Sequence, residues 1–431
     1  MAKKTSIKKE GQLPDPLELI QSIDSEAEVL DESKSANITG YISTGNYLLD
    51  ACICGHMTSK EKNEDGEDMG AGFPANRVVV LAGESGTAKS VLACSVARGA
   101  QEKGYTVLYY DSESAIDKNF CKRLGVDTSR LIIRPVNTVQ ELSHNIAVLC
   151  NTLGEQMEKY GKCNKYYIVC DSLTNLSSVK EKDDIAEGAN KADFSRQKAA
   201  KALFRIASPL ANYGCGMCVV THVYQSMDMF KPGTTVSGGS GVIYNASVIL
   251  ELSAAKLVDK ENDARAAKAS NAGDVVKTGV LITAKPRKSR YSIPHKVRFQ
   301  IPFYKAPNPY VGLENYCSWE KCGICRGSFI TEKEYNKLPD SEKVKIHVFD
   351  YNGETKYVQE KDTARGIVVR HLGEAVPVTE FFTSKVFTPE FLKEMDEKVI
   401  RPEFELPDRS SFDDIKEIED LIDVNSGDAE E

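Results

Sequence analysis

Val78-Val79-Val80-Leu81-Ala82-Gly83-Glu84-Ser85-Gly86-Thr87-Ala88-Lys89-Ser90 is the stretch that decides the fold. Its apolar start suits a strand buried on both faces of a parallel sheet, and the segment after it, 91–103, is helix-compatible. A turn at such a junction directs backbone N–H groups and the positive end of the helix dipole at a polyphosphate. The cradle is then Gly83, Glu84, Ser85, Gly86, Thr87 and Ala88, with the Lys89 amine on the β- and γ-phosphates and the Ser90 hydroxyl on Mg2+. Ala88 departs from the usual pattern, in which glycine precedes the lysine. Alanine lacks glycine's freedom at positive φ but still allows close backbone approach.

Short β-rich runs at 78–82, 106–110, 166–170, 216–221, 247–252 and 279–284 alternate at first with helical periodicity at 91–103, 139–160 and 194–213. This predicts an α/β fold with a mainly parallel sheet flanked by helices. Three of the runs end in polar groups that a parallel sheet gathers at its carboxyl edge. The run 166–170 leads into Asp171, placed to support Mg2+ together with Ser90. The run 106–110 leads into Asp111-Ser112-Glu113, where Glu113 can polarise the water that attacks a γ-phosphate; the plainer alternative is a charge at a helix N-terminus. The run 216–221 leads to His222, within reach of the same phosphate. After it, 223–241 contains Tyr224, Phe230, Lys231, Gly233, Gly238, Gly239 and Gly241. Such a loop can stack on bases and contact phosphates, or serve only as a linker.

The chain has 431 residues, of which 41% are hydrophobic, enough for one large core with smaller appendages. We expect an N-terminal segment at 1–41, a nucleotide-binding α/β core at 42–315, an α+β domain at 316–402 and an acidic tail at 403–431. The Leu17-Glu18-Leu19-Ile20 patch of the first segment suits docking. Within the core, 57–71 reads as an exposed loop and 254–278 as a solvated insertion. The net charge of −8 looks unpromising for a nucleic-acid binder until it is located: 403–431 carries −10 and 1–402 carries +2. No apolar run suits a signal peptide or a membrane span, and several of the 12 cysteines sit in apolar stretches, so the chain reads as cytoplasmic and reduced. Cys317, Cys322 and Cys325 have zinc-like spacing, but their apolar company and the lack of a second cysteine pair favour packing, with His347 as the nearest downstream fourth ligand.

Taken in order, these motifs resemble the RecA-family recombinases, most nearly their phage UvsX type. The resemblance runs from about residue 42 to 313. It includes Ile42-Ser43-Thr44-Gly45, Leu48-Leu49-Asp50, Phe73-Pro74 with Arg77, the phosphate loop, Asp111-Ser112-Glu113-Ser114-Ala115 and Leu124-Gly125-Val126-Asp127. It continues through Asp171-Ser172-Leu173, Gly238-Gly239 and Lys288-Ser289-Arg290.

The resemblance implies a DNA-dependent ATPase that uses ATP and Mg2+, with Lys89 and Ser90 on phosphate and metal, Glu113 activating water and Asp171 supporting the metal. It implies that 1–41 is a polymerisation or linker segment and that 42–315 is an ATPase core. It implies Phe120 against the adenine and His222 as the γ-phosphate sensor where bacterial members have Gln. DNA-binding loops fall at about 177–193 and 223–241, with Tyr224, Phe230, Lys231, Gly238 and Gly239 in the second. Lys288 and Arg290 reach a neighbouring subunit's ATP; a solvated basic strand end, shared with Lys285 and Arg287, is the alternative. Implied partners are single-stranded DNA, homologous duplex DNA, further copies in a helical filament, and single-strand-binding and mediator proteins, in the host's cytoplasm if phage-encoded. The rivals are a hexameric helicase with the same core and a non-catalytic ATP-binding mediator, the second disfavoured by the intact Glu113.

Overall fold

Val78, Val80 and Ala82 pack into one apolar cluster and Val79 and Leu81 into another, so their strand is buried on both faces. The computed structural model describes residues 15–24, 27–30, 33, 36–63, 66–188, 195–225, 233–258, 277–303 and 306–407. The short pair β1 (Tyr41–Ile42) and β2 (Phe73–Pro74) precedes a sheet built from β3 (Val78–Gly83), β4 (Thr106–Asp111), β5 (Leu131–Pro135), β6 (Tyr166–Asp171) and β7 (Gly216–Thr221). A hairpin of β8 (Val223–Gln225) and β9 (Thr234–Val236) follows, and then the sheet strands β10 (Val248–Val258), β11 (Lys277–Lys288) and β12 (Val297–Pro302). The sheet order is β12-β11-β10-β3-β7-β6-β4-β5. From β10 to β5 every pairing is parallel; β11 and β12 are added antiparallel. This is the expected α/β architecture.

Short α1 (Pro16–Gln21) precedes the core, and α2 (Tyr47–Cys54), α3 (Lys89–Glu102), α4 (Lys118–Arg123), α5 (Val139–Tyr160), α6 (Val179–Ala186), α7 (Ser195–Ala207) and α8 (Ser240–Asn245) connect its strands. The 139–160 periodicity matches α5 end to end. The 194–213 segment is α7 followed by a tight 3₁₀ stretch at Ser208–Tyr213.

Two strands escape the sequence patterns. β5 lies at the sheet edge and is largely exposed, so it lacks the long apolar run that marks its buried neighbours. β12 is the other edge and alternates buried with exposed positions. The expected insertion at 254–278 begins and ends as sheet, because β10 runs on to Val258 and β11 starts at Lys277; the residues between lie outside the described ones. The expected loop at 57–71 is exposed in its middle, but Met57 and Ala71 are buried at its ends.

Beyond the core, β13 (Ile324–Ile330), β14 (Ile346–Tyr351), β15 (Glu354–Glu360), β16 (Gly366–Val369) and β17 (Glu374–Pro377) form an antiparallel sheet in the order β14-β15-β13-β16-β17. Ile324, Val369, Phe391 and Phe404 join the same apolar cluster as Leu48, Ile53 and Phe299, so one continuous core runs from α2 to the last described helix. Phe404 is fully buried although it stands at the head of the acidic segment, whose residues from 408 onward lie outside the described ones. Cys322 and Cys325 are buried, and the Cys317 and Cys322 thiols donate to the Leu313 and Ser318 carbonyls, 3.3 Å each. Among the described residues no helix is long and apolar enough to cross a membrane.

Candidate functional site: a phosphate cradle at the carboxyl edge of the sheet

The cradle follows from two backbone demands. A Cβ on Gly83 would lie 2.6 Å from Thr87 Oγ1 and 2.7 Å from the Leu252 carbonyl oxygen, so only glycine fits where β3 turns away from β10. Ala88 then adopts φ 59° and ψ 27°, the left-handed region in which a Cβ costs about 1–2 kcal/mol. That is the physical content of the missing glycine noted in the sequence. Ala88 offers no side-chain cap to α3, so the first N–H groups of the 14-residue helix face the loop without an intrahelical partner. The Lys89 amine (2.6 Å) and the Thr87 hydroxyl (2.8 Å) both donate to the Glu84 carbonyl, which draws the loop into a tight turn around the lysine. A cationic amine over a row of helix-start N–H groups is the donor set a polyphosphate requires.

Hard oxygen groups lie beside it. The Tyr109 hydroxyl donates to Asp171 Oδ2 at 2.9 Å, and the Ser90 side chain lies near the same carboxyl. Burial pushes the Asp171 carboxyl upward, while Ser90 and Tyr109 pull it back. A hydroxyl and a buried carboxylate side by side are hard oxygen ligands of the kind Mg2+ takes, so the residues fit that ion.

Asp111 pairs with Asp171 across β4 and β6. Its Oδ1 accepts the backbone N–H groups of Glu113 (3.0 Å) and Ala115 (3.4 Å), which bends the chain so that Glu113 turns back over the strand ends. Ser172 Oγ donates to Glu113 Oε1 at 2.5 Å, and His222 Nε2 stands 3.8 Å from the same oxygen. Ser112 Oγ bonds both the carbonyl (2.8 Å) and the N–H (2.9 Å) of Ser172, clamping the two strand ends together. The His222 N–H donates to Thr174 Oγ1 at 2.8 Å, and Thr174 and Thr221 hydroxyls meet at 3.0 Å. Burial, then the Lys89 charge, hold the His222 imidazole below the usual histidine range, against the pull of Glu113. Lys89, Ser90, Glu113, Asp171 and His222 thus converge at one sheet edge. Sequence reasoning missed Tyr109 and the support from Ser172 and Thr174. Tyr109 had no signal beyond its place in an apolar run, whereas Ser172 follows the quoted Asp directly.

The family model described as RecA N-terminal domain matches residues 63–290, just over half of the chain. The chain belongs to the RecA family. Similar proteins include the "Recombination and repair protein" of Enterobacteria phage T4, 29% identical over 185 residues, which are 42% of this chain and 45% of that one. "Protein RecA" of Bifidobacterium breve is 28% identical over 184 residues, 42% of this chain and 44% of that one. "Protein RecA" of Acholeplasma laidlawii is 24% identical over 194 residues, 44% and 55% of the two chains. The chain therefore spans about half the length of the relatives it matches.

In this RecA-family core the other predicted residues that the structure describes lie on or next to further elements. Phe120 lies in α4, half-buried against the main cluster, its N–H capped by Asp117 at 2.9 Å. Tyr224 is on β8 and 51% exposed. Gly238 and Gly239 hold φ values of 98° and 74° in the turn into α8, and a Cβ on Gly238 would strike Val242. Phe230 and Lys231 lie outside the described residues, as do 189–194 of the first loop. Lys288 and Arg290 are at the opposite edge of the sheet. Lys288 pairs with Ile249, which pairs with Val80, three residues before Gly83, a separation of about 10 Å along the strand. The Lys288 amine donates to the Ile243 (2.9 Å) and Tyr244 (3.0 Å) carbonyls, and Arg290 lines a cavity with Arg77 and Val78 at the start of β3.

Proposed function

We propose that the chain is an ATP-dependent recombinase that assembles as a helical filament on single-stranded DNA and promotes homologous pairing and strand exchange. One observation carries the reading: the phosphate cradle and the Lys288/Arg290 pair lie at opposite edges of one sheet. A chain whose basic pair is aimed away from its own cradle can offer it to a second copy, and head-to-tail contacts of this kind build open helices or rings rather than two-fold dimers.

In this mechanism the α3 N-terminus and Lys89 hold the phosphates, and Ser90 with Asp171 would hold Mg2+, which when bound neutralises charge on the phosphate oxygens. Glu113, fixed by Ser172 and by the Asp111 turn, accepts the proton of the attacking water. His222, neutral near pH 7 and directly continuous with the β8–β9 hairpin, links phosphate contact to the loop that holds DNA. DNA and ATP then favour the same arrangement of that loop, a reciprocal linkage. Tyr224 is exposed in the hairpin and suited to stacking on a base. The exposed edge strand β5 and the exposed Leu19, Ile20 and Ile23 at and just beyond α1 support further contact between copies.

Electron microscopy with ATP and single-stranded DNA tests the reading. Open helical filaments are the expected result. Closed rings would favour the hexameric helicase, and neither form would favour an ATP-binding mediator.

A further inference from the structure

Arg287 is the extra residue of a β-bulge: Ile249 pairs with Lys288 and Leu250 with Pro286, leaving Arg287 between them. A bulge re-aims the side chain it carries. Here the guanidinium makes an ion pair with Glu251 (Nε to Oε2, 2.8 Å) and donates to both the hydroxyl (3.0 Å) and the carbonyl of Thr234. Thr234 closes the triangle by donating its hydroxyl to Glu251 Oε1 at 2.5 Å. Thr234 is the first residue of β9. Lys288, next along the strand, holds the Ile243 and Tyr244 carbonyls near the end of α8. Two adjacent residues of β11 therefore grip both ends of the segment 234–244, which contains the Gly238-Gly239 turn. Arg290 lies two residues further on.

We propose that Arg287, seated by Glu251, is a positioning residue that couples the segment 234–244, with its Gly238-Gly239 turn, to the Lys288/Arg290 pair, so that DNA bound against that segment sets the alignment of the pair at the next subunit's nucleotide. The inference rests on the functional reading above. It differs from the coupling through His222, which acts on the subunit's own cradle. Glu251 is needed because a guanidinium bound only to a threonine would be free to turn, whereas a carboxylate fixes its fork in one plane. The bulge is needed because regular pairing would place residue 287 on the opposite face from its present partners.

The test measures ATP turnover with and without single-stranded DNA. In Arg287→Met the DNA-independent rate should match wild type, while DNA stimulation falls by about fivefold or more, the lower end of ordinary allosteric couplings. Glu251→Gln keeps the shape and removes the charge, so it should show the same loss and keeps the test valid if Arg287→Met folds poorly. The double variant should be no worse than either single one. Co-assembly decides the direction of coupling. Arg287→Met subunits, which retain Glu113, are mixed with Glu113→Gln subunits, which retain Arg287. DNA-stimulated turnover should reappear, because a working base then abuts a neighbour with an intact clamp. Undiminished stimulation in both single variants, or no reappearance at any ratio in proven mixed filaments, would overturn the proposal. Wild-type turnover indifferent to DNA would instead overturn the functional reading beneath it.

Discussion

Holding a phosphate and breaking it fall to different residues. Lys89 supplies the cation nearest the developing phosphoryl charge, so Lys89→Ala should abolish hydrolysis and weaken nucleotide binding while the fold, which needs no contact from that amine beyond the Glu84 carbonyl, persists. Nucleotide titration and a turnover assay check this; wild-type turnover would remove the lysine from the site. Glu113→Gln should keep nucleotide binding and lose about 10²-fold or more in turnover, the usual worth of a positioned base, and its filaments on DNA should last longer. Loss of binding instead would make Glu113 structural. His222 adds a pH limb. Its imidazole is held below the ordinary histidine range and is neutral near pH 7; lowering the pH into and below that range protonates it, placing a positive charge 3.8 Å from Glu113 and reducing the basicity of that carboxylate. Turnover should fall as pH drops through this range, and His222→Gln should flatten the limb. A pH profile unchanged by that substitution would assign the limb to another group.

At the scale of elements, the last described helix is tied to the start of the 57–71 loop. Asp396, fully buried, accepts the N–H groups of Met57 (2.7 Å) and Thr58 (3.1 Å) and the Thr58 hydroxyl (2.7 Å). Arg401 Nε lies 3.2 Å from the same carboxylate, and the guanidinium also donates to the Thr58 carbonyl at 2.7 Å. Asp396→Ala leaves three buried donors of Met57 and Thr58 without their acceptor and the Arg401 guanidinium with only the Thr58 carbonyl and Glu405, so it should cost about 3 kcal/mol in urea unfolding. A loss below about 1 kcal/mol would mean that the carboxylate is not what fastens the two segments. Nothing in the sequence announces this latch. Lys393-Glu394-Met395-Asp396-Glu397-Lys398 is rich in charge, like a solvated helix face, and the Met57 and Thr58 donors that Asp396 serves are more than 300 positions away. The sheet was legible for the opposite reason: strands such as β3 and β7 are buried on both faces and so are written as unbroken apolar runs, each with its polar terminus in view. Glu113, Asp171 and His222 were found as the residues after such runs. β5 and β12, the half-exposed edges, left no run to find, and Ser172 and Thr174 emerged only once the strand ends were brought together.

At the scale of the whole molecule, direction matters most. The parallel strands carry the cradle at their carboxyl edge, while β11, running the other way, delivers Lys288 and Arg290 to the amino edge. A single chain cannot bring the two together without dismantling the sheet, so a nucleotide site that uses both belongs to two copies. The most direct measurement is ATP turnover by mixtures of two variants, each inactive alone: Glu113→Gln, with its basic pair intact, and Lys288→Ala/Arg290→Ala, with its base intact. Co-assembly should restore activity, highest near equal mixing, because some junctions then hold a sound cradle and a sound basic pair. No recovery at any ratio, in filaments shown to contain both variants, would contradict the shared site.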